Sequence, residues 1–178
     1  MVVVPEKIWT IGHSSRAIEE FLDLLAGEQI EVLADVRRFP GSRAHPHFNP
    51  EPLAGSLAAR DTEYIQFTDL GGRRKAKPDT PHTIWRHPAF RGYADYMDTE
   101  EFEAGLERLM ETARSLRTAI MCSEAVWWRC HRSMISDALK ARGVEVLHIM
   151  GPGKTTEHPF TAPARIVDGE LYYGPAEE

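Results

Sequence analysis

Three features of the sequence predict a three-layer α/β fold: a mainly parallel sheet of about five strands with helices on both faces, ending in a hairpin. Short β-rich apolar runs alternate with stretches of helical period along most of the chain, and strands that alternate with helices pack as a parallel sheet. The 178 residues, 42% hydrophobic and 27% charged, suit one globular domain, 1–178, and leave no room for a second. Near the end, Asp168-Gly169 stands between two β-rich runs, which is a two-residue turn signal.

The elements follow in order. KIWTIG is the first strand, Lys7 to Gly12. In AIEEFLDLLAGE, Ile18, Phe21, Leu22 and Leu25 recur at helical spacing and Gly27 ends the pattern, so a helix follows. EVLADVRR is the second strand. In NPEPLAGSLAARD, Asn49 offers an N-cap ahead of a first-turn proline, and a short helix is expected. EYIQFTDLGG is the third strand, closing on a glycine pair. Residues 73–91, RRKAKPDTPHTIWRHPAFR, are basic, proline-rich and without period, which predicts an irregular surface excursion. Between Tyr93 and Leu116 a helical stripe of Phe102, Leu106, Leu109 and Ala113 returns, with a break near Asp98. RTAIMCSE is the fourth strand, CHRSMISDALKARG a helix closed by Gly143, and VEVLHIM the fifth strand.

Composition excludes several classes. No run of about 18 apolar residues exists to cross a bilayer, and MVVVPEKIW lacks the layout of a signal peptide. A cytoplasmic protein with no membrane partner is therefore expected. Two cysteines are too few for a disulfide framework, so reduced thiols are expected. The net charge of −6 argues against a dedicated polyanion binder. Between Arg37 and Arg91, however, ten Lys or Arg face five acids, a local net of +5, and the remainder carries −11. Such a basic face concentrates an anionic ligand even on an acidic molecule.

In an open parallel sheet, ligands bind beyond the carboxyl ends of the strands. Here those ends deliver His13 and Ser14, then Asp35, Arg37 and Arg38, then Asp69 and Gly71-Gly72, then Cys122 and Glu124, and lastly His148. Buried polar groups without partners cost about 1–3 kcal/mol each, so this many polar strand ends points to a site.

These residues also carry a resemblance. TIGHS, LADVRRFPGSR, DLGG, YADYM and MCSEAVWWRCHR followed by VLHI occur from Thr10 to Met150 in the order found in the bacterial and archaeal family called domain of unknown function 488. The resemblance implies a compact cytoplasmic α/β domain with recurrent GHS, DVR and C-x-E…C-H-R groups. On this chain those are His13 and Ser14, Asp35 and Arg37, and Cys122, Glu124, Cys130, His131 and Arg132.

The chemistry of the residues leaves several roles open. Cys130 stands where a helix begins, and a helix N-terminus favours a thiolate; Arg129 and Arg132 add positive charge beside it. The other reading of Cys130 is a small side chain filling space between helix and sheet, which is the preferred reading for Cys122. Glu124 shares a short loop with Cys130 and suits acid-base work, or pairs with Arg132 or Arg37. His13 offers a general base; Ser14 and Ser15 offer a phosphate contact or a helix cap. Arg37, Arg38 and Arg43 suit two-pronged binding of phosphate or carboxylate, while Asp35 is expected to hold Arg37 structurally. Trp127 and Trp128 lie in a loop where one can stack on a ring and the other pack inward.

The resulting expectation is a thiol- or carboxylate-dependent transferase or hydrolase acting on an anionic substrate, a phosphate-bearing nucleotide or nucleic-acid base. Cys130, Glu124 and His13 would be catalytic; Ser14, Arg37, Arg38, Arg43, Trp128, His131 and Arg132 would bind substrate. Two alternatives stand beside it. One is a nucleic-acid-binding module without catalysis, using the +5 stretch and the tryptophans. The other is a metal or redox thiol regulator, with zinc or iron held by Cys122, Cys130, His131 and His13.

Overall fold

The computed structural model describes residues 3–176. Its sheet has six strands in the order β3-β2-β4-β1-β5-β6: β1 Lys7–Gly12, β2 Val32–Asp35, β3 Glu63–Gln66, β4 Thr118–Cys122, β5 Glu145–Gly151 and β6 Lys154–Glu157. The first five run parallel and β6 returns antiparallel beside β5. β6 is the strand beyond the five expected. Its four residues, KTTE, are all exposed, so it carries no apolar signal to read. The hairpin expected at Asp168-Gly169 is β7 Arg165–Val167 paired with β8 Glu170–Tyr172. Both turn residues have positive φ, +51° and +80°, as a type I′ turn demands.

Helices α1 Ile18–Gly27 and α2 Pro50–Ala58 cover one face; α3 Pro88–Met97, α4 Glu100–Ser115 and α5 Arg132–Ala141 cover the other. Because side chains alternate across a strand, each strand feeds both layers. Leu33 and Met121 join Phe21, Leu25, Leu53 and Leu57 on the α1/α2 side. Ala34, Ile120 and Cys122 join Tyr93, Phe102, Leu106 and Met134 on the other. The break near Asp98 separates α3 from α4, and the Thr99 hydroxyl caps α4 by accepting the Phe102 N–H at 3.2 Å.

Four local expectations change. Residues 73–87 are irregular, but Pro88 already opens α3, so the excursion is shorter than 73–91. The third strand stops at Gln66, and a 3-10 turn over Thr68–Leu70 intervenes before Gly71-Gly72. Asn49 precedes α2, yet its side chain accepts from the Ser42 N–H at 2.6 Å and leaves the helix uncapped. Ser14 and Ser15 do not cap α1 either, because Ala17 holds the cap position.

The order of strands fixes where a ligand can go. After β1 the chain leaves to α1 on one face; after its neighbour β4 it leaves to α5 on the opposite face. Loops that part in this way open a crevice at the carboxyl ends of the two strands.

Candidate functional site in the strand-end crevice

The crevice is a cavity of about 960 Å³. β1 and β4 stay paired past their ends, since the His13 and Ser14 N–H groups donate to the Cys122 and Ser123 carbonyls at 2.9 and 3.0 Å. Gly12 lets them do so: a Cβ there would run into the Glu124 carbonyl. Of the residues expected at the site, His13, Ser14, Arg37, Arg38, Cys122, Glu124, Trp128, Cys130 and His131 line the cavity. Arg43 is exposed on the neighbouring loop outside the lining, and Asp35 and Arg132 lie buried behind it.

The two histidines have fixed tautomers. His13 Nδ1–H donates to the Ser14 carbonyl at 2.8 Å, so Nε2 carries the lone pair and meets Arg37 Nη1 at 3.4 Å. Burial, against the Ser14 contact, lowers His13 to about 4. His131 Nε2–H donates to the Val36 carbonyl at 2.8 Å, and burial lowers it to about 4 as well. Its bare Nδ1 lies against Gly72, where a Cβ would sit 2.7 Å away. Cys122, Cys130, His131 and His13 do not converge as one ligand set. Among the described residues, the ligand atoms that converge are instead those of His82, Asp95 and Asp98, in the excursion and on and just after α3.

Arg37 is fully engaged. Nε and Nη2 fork onto Asp35 at 2.9 and 2.7 Å, and Nη2 also reaches the Phe48 carbonyl at 2.8 Å. Asp35 accepts the Tyr64 hydroxyl too. Arg37 is thereby a wall of the cavity held by a buried carboxylate.

The thiols occupy the floor. Cys130 is not the first residue of α5; His131 holds the cap and Cys130 precedes it. Even so, the Arg132 N–H of the first turn reaches Cys130 Sγ at 3.4 Å. Cys122 Sγ and Cys130 Sγ are 2.8 Å apart, and both thiols are free. Cys122 is 2% exposed, and Cys130 is the more exposed residue of the two. Burial opposes a charge on Cys122, but the Cys130 thiol, the Arg132 guanidinium and the Glu124 backbone outweigh it and bring Cys122 to about 7. Burial and then Cys122 itself push Cys130 up. Two sulfurs this close titrate as a unit: the pair gives up a first proton readily and holds the second.

Arg132 is the cation beside them, and it is 0% exposed. Nη1 donates to Thr10 Oγ1 at 3.1 Å, and Nη2 to the Glu124 and Ala125 carbonyls at 3.0 and 3.5 Å. Among the described residues none of its bonds goes to a carboxylate, and Nε has no partner. Glu124 is exposed, and its carboxylate pairs with neither Arg37 nor Arg132. Arg38, Arg73 and Arg129 join Arg37 around the cavity against this single acid. Trp128 is 53% exposed at the mouth, while Trp127 turns inward and stacks on His148 at 4.7 Å with the rings 6° apart.

A model of the family described as domain of unknown function DUF488 matches residues 17–139, more than half of the chain. The chain belongs to this family. The matched span contains the DVR, LGG, C-x-E and C-H-R groups that build the wall and floor of the cavity, with His13 just before it. No curated protein and no solved structure matches the chain. Four groups linked to the C-H-R arginine were not singled out from sequence: Thr10, which it contacts, and behind Thr10 a succession of His148 (as a working partner), His158 and Asp137. Asp137 lies on the α5 stripe, where it reads as a surface residue, and His158 follows the exposed β6. His148 reads as an isolated polar residue in an apolar strand, which is the one signal available. Among the described residues, no helix is long and apolar enough to cross a membrane.

Proposed function

We propose that this protein is an enzyme that uses the Cys122–Cys130 pair against an anionic, phosphate-bearing substrate. One observation carries the reading: a fully buried guanidinium, Arg132, has no carboxylate and lies beside two thiols 2.8 Å apart on the floor of a basic cavity. A buried cation left unpaired costs several kcal/mol, and a thiolate or a bound anion offsets it. Cys130, the more exposed residue of the pair, attacks an electrophilic centre; a sulfur–substrate bond forms, and the leaving group departs with the electron pair of the bond that breaks. Cys122, the sulfur that ionises first, takes up the Cys130 proton across the 2.8 Å contact as Cys130 attacks. Arg38, Arg73 and Arg129 hold the anionic part, Trp128 gives a ring a face to stack on, and Glu124 at the mouth takes or returns a proton.

The pH dependence of iodoacetamide alkylation tests this. The apparent pKa should fall well below the ~8.5 of a free cysteine, with Cys130 labelled first by mass spectrometry and inorganic pyrophosphate slowing the reaction several-fold. An ordinary thiol pKa sinks the proposal. The same short contact favours a second reading, a redox switch in which a peroxide removes two electrons and two protons to join the sulfurs and leaves as alcohol and water. In that case peroxide-treated protein carries the Cys122–Cys130 crosslink and regains its thiols with dithiothreitol.

A further inference from the structure

Behind the thiols runs a chain of buried hydrogen bonds that the thiol chemistry itself does not use. Arg132 Nη1 can only donate, so Thr10 Oγ1 accepts from it at 3.1 Å and is free to pass its own proton to His148 Nδ1 at 2.5 Å. His148 then carries its proton on Nε2 and donates to His158 Nδ1 at 2.8 Å. His158 Nε2–H donates in turn to Asp137 Oδ1 at 2.8 Å. Asp137 also accepts from the Thr161 N–H, the Thr161 hydroxyl and the Tyr173 hydroxyl. Thr10, Arg132, Asp137 and His148 are 0% exposed and His158 is 1% exposed. Every donor in the chain points the same way, from the guanidinium toward the carboxylate.

We propose that Thr10, His148, His158 and Asp137 are positioning residues that aim the Arg132 guanidinium at the Cys122–Cys130 pair without neutralising it. This rests on the thiol reading above and assigns the residues that sustain it. A carboxylate in direct contact, as Asp35 is with Arg37, would cancel most of the guanidinium's field at the sulfurs. A neutral relay gives the same orientation and keeps the counter-charge at the far end of two imidazoles and a hydroxyl. The geometry at the near end agrees: the Glu124 carbonyl accepts from Arg132 Nη2 at 3.0 Å and from the Cys122 thiol at 3.7 Å, which ties the guanidinium to the pair. His148 stays neutral in this arrangement, since its Nδ1 accepts from Thr10 and only its Nε2 carries a proton. For His148, burial first and then His158 and Arg132 hold protonation down to about 2. Trp127 closes the chain off from water by stacking on His148.

The test compares Thr10→Val, which keeps shape and loses the hydroxyl, with Thr10→Ser, which keeps the hydroxyl. The titratable groups facing the thiols are Tyr93 from α3, Glu124 from the β4 loop and Arg132 at the start of α5; both substitutions leave them intact. Thr10→Val should raise the apparent alkylation pKa by about one unit, while Thr10→Ser stays near wild type. A folded Thr10→Val protein with the wild-type alkylation profile overturns the relay; an ordinary wild-type profile overturns the thiol reading instead. Imidazole ¹⁵N NMR of the unaltered protein decides even if Thr10→Val fails to fold. His148 is expected as the Nε2–H tautomer, without titration from pH 5 to 8, and an Nδ1–H tautomer or a titration in that range overturns the proposal.

Discussion

Arg37 and Arg132 are two buried guanidinium groups on opposite faces of one sheet, and they are held in opposite ways. Arg37, 7% exposed, forks onto Asp35 and belongs to an ion pair. Arg132, 0% exposed, touches a hydroxyl and two carbonyls and meets its carboxylate only through three intermediates. The first arrangement builds a wall. The second leaves positive potential available to whatever sits beside it, which here is a pair of thiols. The difference shows that an arginine's burial says little about its role until its counter-charge is located.

The largest effect expected from breaking this comparison is on the paired side. Asp35→Asn leaves Arg37 buried and uncompensated and turns one of two acceptor oxygens, both engaged by Arg37 or Tyr64, into an NH2 donor. Loss of one partner of a buried pair costs about 3–5 kcal/mol, so thermal unfolding should move down by roughly 10 °C. Arg132→Met goes the other way: it removes a charge that no carboxylate compensates, and apolar replacement of buried charge is often neutral or stabilising. Its unfolding temperature should stay within a few degrees of wild type, while the thiol pair loses its low apparent pKa and alkylation at pH 7 slows about tenfold. A large loss of stability in Arg132→Met, or an unchanged alkylation profile, would erase the distinction drawn between the two arginines.

How far this could be read from sequence differs by element. The first strand and its partners were legible because β-rich apolar runs met helical stripes at clean boundaries, as at Lys7–Gly12. β6 was not, since KTTE is polar on both faces and is a strand only because β5 offers it an edge. Strand-end residues were legible as a group, and His13, Ser14, Arg37, Arg38, Gly72, Cys122 and Glu124 do line the cavity. The pairing of Cys122 with Cys130 was not legible, because seven residues separate them and only the loop's return over β4 brings the sulfurs together. The relay was hidden for the same reason: Thr10, Asp137, His148 and His158 come from four parts of the chain and each alone looks like a tolerated polar residue. Asn49 misled in the other direction, since a good capping residue serves the loop at Ser42 instead.

A smaller effect sharpens the contrast from a third site. His82 Nδ1–H donates to the Tyr173 carbonyl, and Nε2 meets Asp98 at 2.6 Å and Asp95 at 4.0 Å. Burial works against the imidazolium, but the Tyr173 carbonyl and then Asp98 and Asp95 prevail and raise His82 above its ordinary value. The cation therefore ties the 73–87 excursion to the end of α3 and to the C-terminal segment, with a carboxylate that is 63% exposed. A group whose pKa is higher folded than unfolded binds more protons when folded, so its stabilisation is complete below about 6.5 and fades as pH rises through the folded value. Exposure of Asp98 limits the size to under about 1 kcal/mol. His13 and His131, both lowered to about 4, act with the opposite sign: they favour the folded state above about 6.5, an advantage lost as pH falls toward 4. Unfolding temperature measured from pH 5 to 9 in wild type and Asp98→Asn separates the contributions. The variant should lose stability only on the acidic side of that range, converging with wild type at high pH. A uniform offset across all pH values would mean that His82 is held as a neutral hydrogen-bond donor, with no charge in the tie.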